Sequence, residues 1–132
     1  MRKKKEMVYK KCDYGNYREL LYEDTYKDYN YYIMNYGSHP CAYIMIPYNH
    51  KYSYTDYNNI DDYIDVHGGF TYSEDHLIIG NNEKINDWFL GWDYCHLGDY
   101  CILYDYILQG KKYTTDEMIE DCKHVIDQLV EV

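Results

Sequence analysis

Apolar residues follow a helical period in one place, the C-terminal segment, where Met118, Ile119, Cys122, Val125, Ile126, Leu129 and Val130 recur on one face. Thr114-Thr115-Asp116-Glu117 stands directly before them and reads as a capping box. The threonine hydroxyl accepts from the Glu117 amide, the glutamate reaches back, and early acidic residues suit the helix dipole. Elsewhere the apolar residues come in short runs rich in Tyr, Ile and Met, which is the signature of strands. Tyr31 to Tyr36 and Cys41 to Ile46 flank Gly37-Ser38-His39-Pro40, so they predict a β-hairpin that Pro47 ends.

Further strands are expected at Met7 to Lys11, Phe70 to Ser73 and Trp88 to Asp93, with a segment from Tyr63 to Val66 before the glycine pair and another apolar segment from Cys101 to Leu108 that Gly110 breaks. Asn16 to Glu23 reads as a helical turn or two, and Tyr54 to Ile60 as a short helix or turn. A polar loop surrounds Gly80-Asn81-Asn82. The fold class that follows is α+β: a largely antiparallel sheet with a C-terminal helix packed on one face.

A chain of 132 residues is one domain, 1-132, able to hold a core without staples. The basic start within residues 1-6 reads as a flexible terminus. The formal charge of -10 repels phosphate backbones, so double-stranded nucleic acid is not an expected partner. No window reaches the ~18 apolar residues of a membrane span and no signal-peptide core is present, which predicts a cytoplasmic protein with no membrane partner. Five cysteines, Cys12, Cys41, Cys95, Cys101 and Cys122, form no C-x-x-C pair. Reduced, half-buried thiols are therefore expected rather than a disulfide framework or a four-cysteine zinc site. The 21 tyrosines read mostly as compositional drift, though their rings fill core margins while keeping hydroxyls wet.

Chemistry concentrates between Asp65 and Asp99. His67-Gly68-Gly69 precedes Thr71 and Tyr72, and Trp88, Trp92, Asp93, His96 and Asp99 follow. Buried imidazoles and carboxylates are costly unless paired, hydrogen-bonded or metal-bound, so this run reads as a site. In one reading, His67, Asp93, His96 and Asp99 hold a Zn or Mn ion that activates water for hydrolysis of a small ester or phosphoester. In another, Gly68 and Gly69 turn backbone amides toward an anion, Thr71, Tyr72, Asp93, His96 and Asp99 add polar contacts, and Trp88 or Trp92 stacks on a base. A third reading is purely structural, with the glycines as turns, the tryptophans in the core and the histidines satisfied by Asp93. His39 and His50 read as surface residues near the rim, and His76 and His124 as solvent-facing. Cys95-His96 and His39 with Cys41 are discounted as nucleophile-base pairs, because strand neighbours point to opposite faces.

The order Ser38-His39-Pro40-Cys41, Pro47-Tyr48-Asn49-His50, His67-Gly68-Gly69-Phe70-Thr71-Tyr72 and Trp88-Phe89-Leu90-Gly91-Trp92-Asp93-Tyr94-Cys95-His96-Leu97-Gly98-Asp99 resembles a family of small uncharacterised phage and prophage proteins. The likeness runs from about residue 35 onward. The chain departs from the family pattern at Phe89, Trp92 and Tyr94 and carries the cysteine one place later, at Cys95. The resemblance implies a viral or mobile-element origin and a shared pocket. The expected function is small-ligand binding, with a nucleotide-like host signal sequestered against host defence. Metal-dependent hydrolysis is the alternative, and an acidic inhibitor that binds a host protein is the third.

Overall fold

Strand β1 (Glu19–Tyr26) turns into β2 (Tyr29–Asn35) through Lys27 and Asp28, whose φ angles of 50° and 69° are both left-handed, as a tight hairpin turn requires. The structure, a computed structural model, describes residues 3–11, 17–60 and 64–132. β3 (Pro40–Met45) extends the sheet after the turn at Gly37. β4 (Tyr72–Glu74), β5 (Leu77–Gly80), β6 (Glu83–Ile85) and β7 (Phe89–Asp93) follow, then β8 (Tyr100–Ile102), β9 (Ile107–Gln109) and the helix α1 (Thr115–Val130). The main sheet has the order β1-β2-β3-β7-β4 with every pair antiparallel, while β5-β6 and β8-β9 are separate hairpins.

Side-chain alternation along the strands sends two apolar sets to opposite faces. Tyr31, Ile33, Ala42, Ile44, Leu90 and Trp92 pack with Met118, Cys122, Val125, Ile126 and Leu129 of α1. Tyr32, Met34, Cys41, Tyr43 and Phe89 face the other way and meet Leu77 and Ile85 of the β5-β6 hairpin. The mixed α+β fold with its helix on the antiparallel sheet thus matches the sequence pattern, and a hairpin covers the second face. Thr114 caps α1 in a full capping box. No helix among the described residues is long and apolar enough to cross a membrane.

Several local expectations are corrected. The segment expected to be helical, as far as it is described, becomes β1, because Leu21 enters the core beside β2 and tertiary pairing overrides local composition. Residues 7–11 form no strand: Lys10 N donates to the Gly37 carbonyl and, just before the segment, Lys5 N donates to that of Leu21, so the segment is tethered at points beside the sheet. The strand expected at Phe70 begins at Tyr72. Cys101 to Leu108 is a hairpin of two strands rather than one segment. The turn Tyr57–Asn59 is 3-10. Within the basic start, Lys4 reaches Asp116 at 2.7 Å and Glu6 accepts from the Thr115 amide at 3.0 Å, so these residues are tied to the helix rather than free. The expectations on Arg2, Cys12, Asn16 and Tyr63 lie outside the described residues.

Candidate functional site

The turn between β7 and β8 organises the polar chemistry of the run. Asp93 ends β7, and its Oδ1 accepts from the Cys95 amide at 3.0 Å while its Oδ2 accepts from Thr71 Oγ1 at 3.1 Å. Asp99, only 2% exposed, closes the turn: its Oδ2 lies 2.8 Å from His67 Nε2 and accepts from the His96 amide at 2.9 Å. Gly98 carries a φ of 99°, which lets the chain reverse at that point. His67, arriving from the loop before β4, stacks on Tyr94 at 4.5 Å and meets the His96 ring at 5.7 Å and Tyr113 at 5.1 Å. His67, Asp93, His96 and Asp99 therefore share one neighbourhood.

Within it the two carboxylates have structural partners. His67 pairs with Asp99, and His96 Nε2 lies 3.2 Å from Asp93 Oδ1 without hydrogen-bond geometry, which leaves this enclosed nitrogen without a hydrogen-bond partner. Among the described residues, no three donors of His67, Asp93, His96 and Asp99 come within 4.8 Å of one another. The set does not fit a single Zn or Mn ion as it stands, because one ion at about 2.0–2.3 Å from each ligand needs the donors closer.

The anion reading of the glycines also meets a correction. A Cβ on Gly68 would fall 2.2 Å from the His96 ring, so this glycine serves close packing on the imidazole. Gly69 N donates to Val66 O, which removes that amide from an anion nest, and Thr71 N donates to Gly91 O. Tyr72 OH donates to His76 O. Trp92 is 1% exposed with its indole N–H donated to Tyr94 OH at 3.1 Å, so its ring offers no stacking face. Trp88 pairs with Tyr54 at 5.0 Å and packs on the helix-side core.

An open cleft lies alongside. It encloses about 440 Å³ between residues 6–9, β8 and the segment before α1, a volume in the range of small-molecule sites. Tyr9 and Tyr100 meet edge to face at 4.8 Å, and Lys112 Nζ stands 4.4 Å from the Tyr100 centroid and 5.6 Å from that of Tyr9. Tyr113 lines the cleft and also meets His67 edge to face. Burial, with Asp99 adding to it, pushes the Tyr9 hydroxyl up to about 12, and the same two causes raise that of Tyr113. Both phenols stay protonated at neutral pH and remain hydrogen-bond donors. None of Tyr9, Tyr100, Lys112 and Tyr113 stood out in the sequence, since they come from three distant segments amid many tyrosines. The Lys111-Lys112-Tyr113 run after Gly110 was the available signal.

The cysteine expectation is overturned as well. Cys95 and Cys101 form a disulfide across the turn, with Cα atoms 5.2 Å apart, while Cys41 and Cys122 are buried free thiols. The sequence hid the pair because five residues intervene and only the reversal at Gly98 brings the ends together. His39, expected at the surface, is half-buried, with Nδ1 2.8 Å from Ser38 Oγ and 3.7 Å from Cys101 Sγ. Burial lowers its pKa despite the pull of Asp93 and Asp99 in the other direction. His50 also has a structural role: its Nδ1 accepts from Tyr52 N, so its Nε2 donates to the Leu129 carbonyl at the end of α1. His76 and His124 pair with Asp75 and Asp65 near the surface. No family model, curated protein or solved structure matches the chain.

Proposed function

We propose that the protein binds a small planar anion of the nucleotide kind in the cleft bounded by Tyr9, Tyr100, Lys112 and Tyr113. The observation that carries the reading is the ammonium of Lys112 set over the rings of Tyr100 and Tyr9 at the edge of a 440 Å³ cleft. A base gains from stacking on a tyrosine face, and a phosphate gains from a lysine charge held in place by those rings. Protonated phenols supply hydrogen bonds for the ribose or base. The cation also answers the overall acidity, since it stands locally where an anion must approach. Asp99 behind the cleft anchors His67, and His67 supports Tyr113, so the ligand-binding residues sought between Asp65 and Asp99 serve as the scaffold of the wall. With the resemblance to phage-encoded proteins, the physiological form of this binding is capture of a host signalling nucleotide.

Metal-assisted hydrolysis is not carried forward on His67, Asp93, His96 and Asp99, no three of whose donors converge within 4.8 Å. The test is calorimetric titration with nucleoside monophosphates and cyclic mono- and dinucleotides. A saturable one-to-one isotherm that Lys112→Ala weakens by roughly tenfold is expected, the worth of one charge-assisted contact. Absence of saturable heat with every nucleotide, or an isotherm indifferent to Lys112→Ala, would remove the reading.

A further inference from the structure

Three donors from three separate elements meet at the far end of the β7-β8 turn. His39 comes from the turn between β2 and β3, Cys95 follows β7, and Cys101 lies in β8; one ring nitrogen of His39 and the two sulfurs all fall within 4.8 Å of one another. We infer that reduction of the Cys95–Cys101 disulfide converts this corner into a binding site for a divalent ion of the zinc class. A tetrahedral ion at about 2.3 Å from sulfur and about 2.0 Å from nitrogen places those two donors roughly 3.5 Å apart. His39 Nδ1 and Cys101 Sγ stand at 3.7 Å. One distance of the coordination polyhedron is thus already in place, and the second sulfur reaches its position when the S–S bond opens and the Cys95 side chain rotates.

The chemistry of the donors fits that ion. Two thiolates neutralise a divalent charge, which suits a corner where Cys101 is fully enclosed. Ser38 Oγ, 2.8 Å from His39 Nδ1, is able to donate to it; that leaves the ring proton on Nε2 and a lone pair on Nδ1. The hydroxyl gives up this lone pair when the ion enters. Three protein ligands leave the fourth tetrahedral position to water. A second group of candidate ligands, Glu74, Asp75 and His76, offers no comparable site, because both carboxylates are exposed and Asp75 already lies 3.0 Å from His76.

The conversion balances with a small dithiol as reductant. Thiol-disulfide exchange transfers two electrons to the Cys95–Cys101 bond and leaves the reductant as its own disulfide. The two new thiols then lose their protons to solvent as the sulfurs bind the ion. Either closure, disulfide or metal, joins the two ends of the turn that carries His96 and Asp99. The inference stands independently of the nucleotide reading, since His39, Cys95 and Cys101 do not line the cleft, although Tyr100 and Ile102 on either side of Cys101 do.

The test uses the full chain, first reduced and freed of reductant, then oxidised, each titrated with Co²⁺ and chased with Zn²⁺. Reduced protein is expected to bind one equivalent of Co²⁺ with a thiolate-to-cobalt charge-transfer band that Zn²⁺ abolishes, and oxidised protein to show no such band. His39→Ala should weaken binding on the order of tenfold or more, and Cys101→Ser should remove most of the band. His76→Ala should change nothing. The comparison of the two redox forms needs no substitution and so cannot be confused with misfolding. No band in the reduced protein, an equal band in the oxidised protein, or a band untouched by His39→Ala and Cys101→Ser would overturn the assignment.

Discussion

The carboxylate of Asp99 holds His67 Nε2 at 2.8 Å and, through the same oxygen, the amide of His96 at 2.9 Å. A loop before β4 and the β7-β8 turn are joined at that one atom. Replacing Asp99 with Asn removes a buried charge-assisted contact, and it is expected to cost about 2–3 kcal/mol in urea unfolding. A cost below about 0.5 kcal/mol would show that the turn holds without it.

Gly68 and Gly69 both have positive φ, 69° and 83°, but different surroundings. A Cβ on Gly68 meets the His96 ring, whereas one on Gly69 meets nothing within 4 Å. Gly69→Ala should cost about 1–2 kcal/mol, the backbone strain alone. Gly68→Ala should cost at least about 1 kcal/mol more, because the imidazole must also move. Equal costs by chemical denaturation would contradict the packing role assigned to Gly68.

His39 imposes a pH dependence. Its pKa is lowered in the folded protein, chiefly by burial, so below the ordinary histidine value near 6.5 the unfolded chain binds a proton that the folded one declines. Stability attributable to His39 is therefore full above about pH 7 and falls as the pH drops through the unfolded pKa toward the folded one. His39→Gln should flatten the decline between about pH 7 and pH 5 relative to the parent. Parallel stability profiles for the two proteins would exclude the effect.

Thr114 accepts from the Glu117 amide at 3.1 Å while Glu117 Oε1 accepts from the Thr114 amide at 2.9 Å. Thr114→Ala should lower stability by about 1 kcal/mol, and thermal melting followed by circular dichroism at the helix band reads it directly. An unchanged melting temperature would mean that Glu6, which takes the Thr115 amide, secures the helix start by itself.

The helix was legible because its evidence is local: a cap at Thr114 and an apolar period that a single helix face satisfies. The β2-β3 hairpin was legible for the same reason, with Gly37 and Pro40 marking the turn. β1 was not, since its strand character comes from pairing with β2 and from Leu21 entering the core, neither of which its own tyrosine-dense composition records. The proximity of His67 to Asp93, His96 and Asp99 followed from reading the run as one site. Which partners they take did not, because the choice of Asp99 for His67 depends on a turn at Gly98 that only the fold specifies. Cys95 and Cys101 were hidden by that same turn. Tyr9, Tyr100 and Tyr113 were hidden twice, by their separation along the chain and by the abundance of their residue type.

The most direct test of nucleotide binding is to record the tyrosine and tryptophan ring resonances of the labelled protein while a nucleotide is added to saturation. The account predicts the largest shifts at Tyr9, Tyr100 and Tyr113, which bound the cleft, and little change at the enclosed rings of Tyr31 and Trp92. Saturable binding whose shifts instead centre on the Gly68-Gly69 loop or elsewhere, or no shifts with any nucleotide, would contradict it.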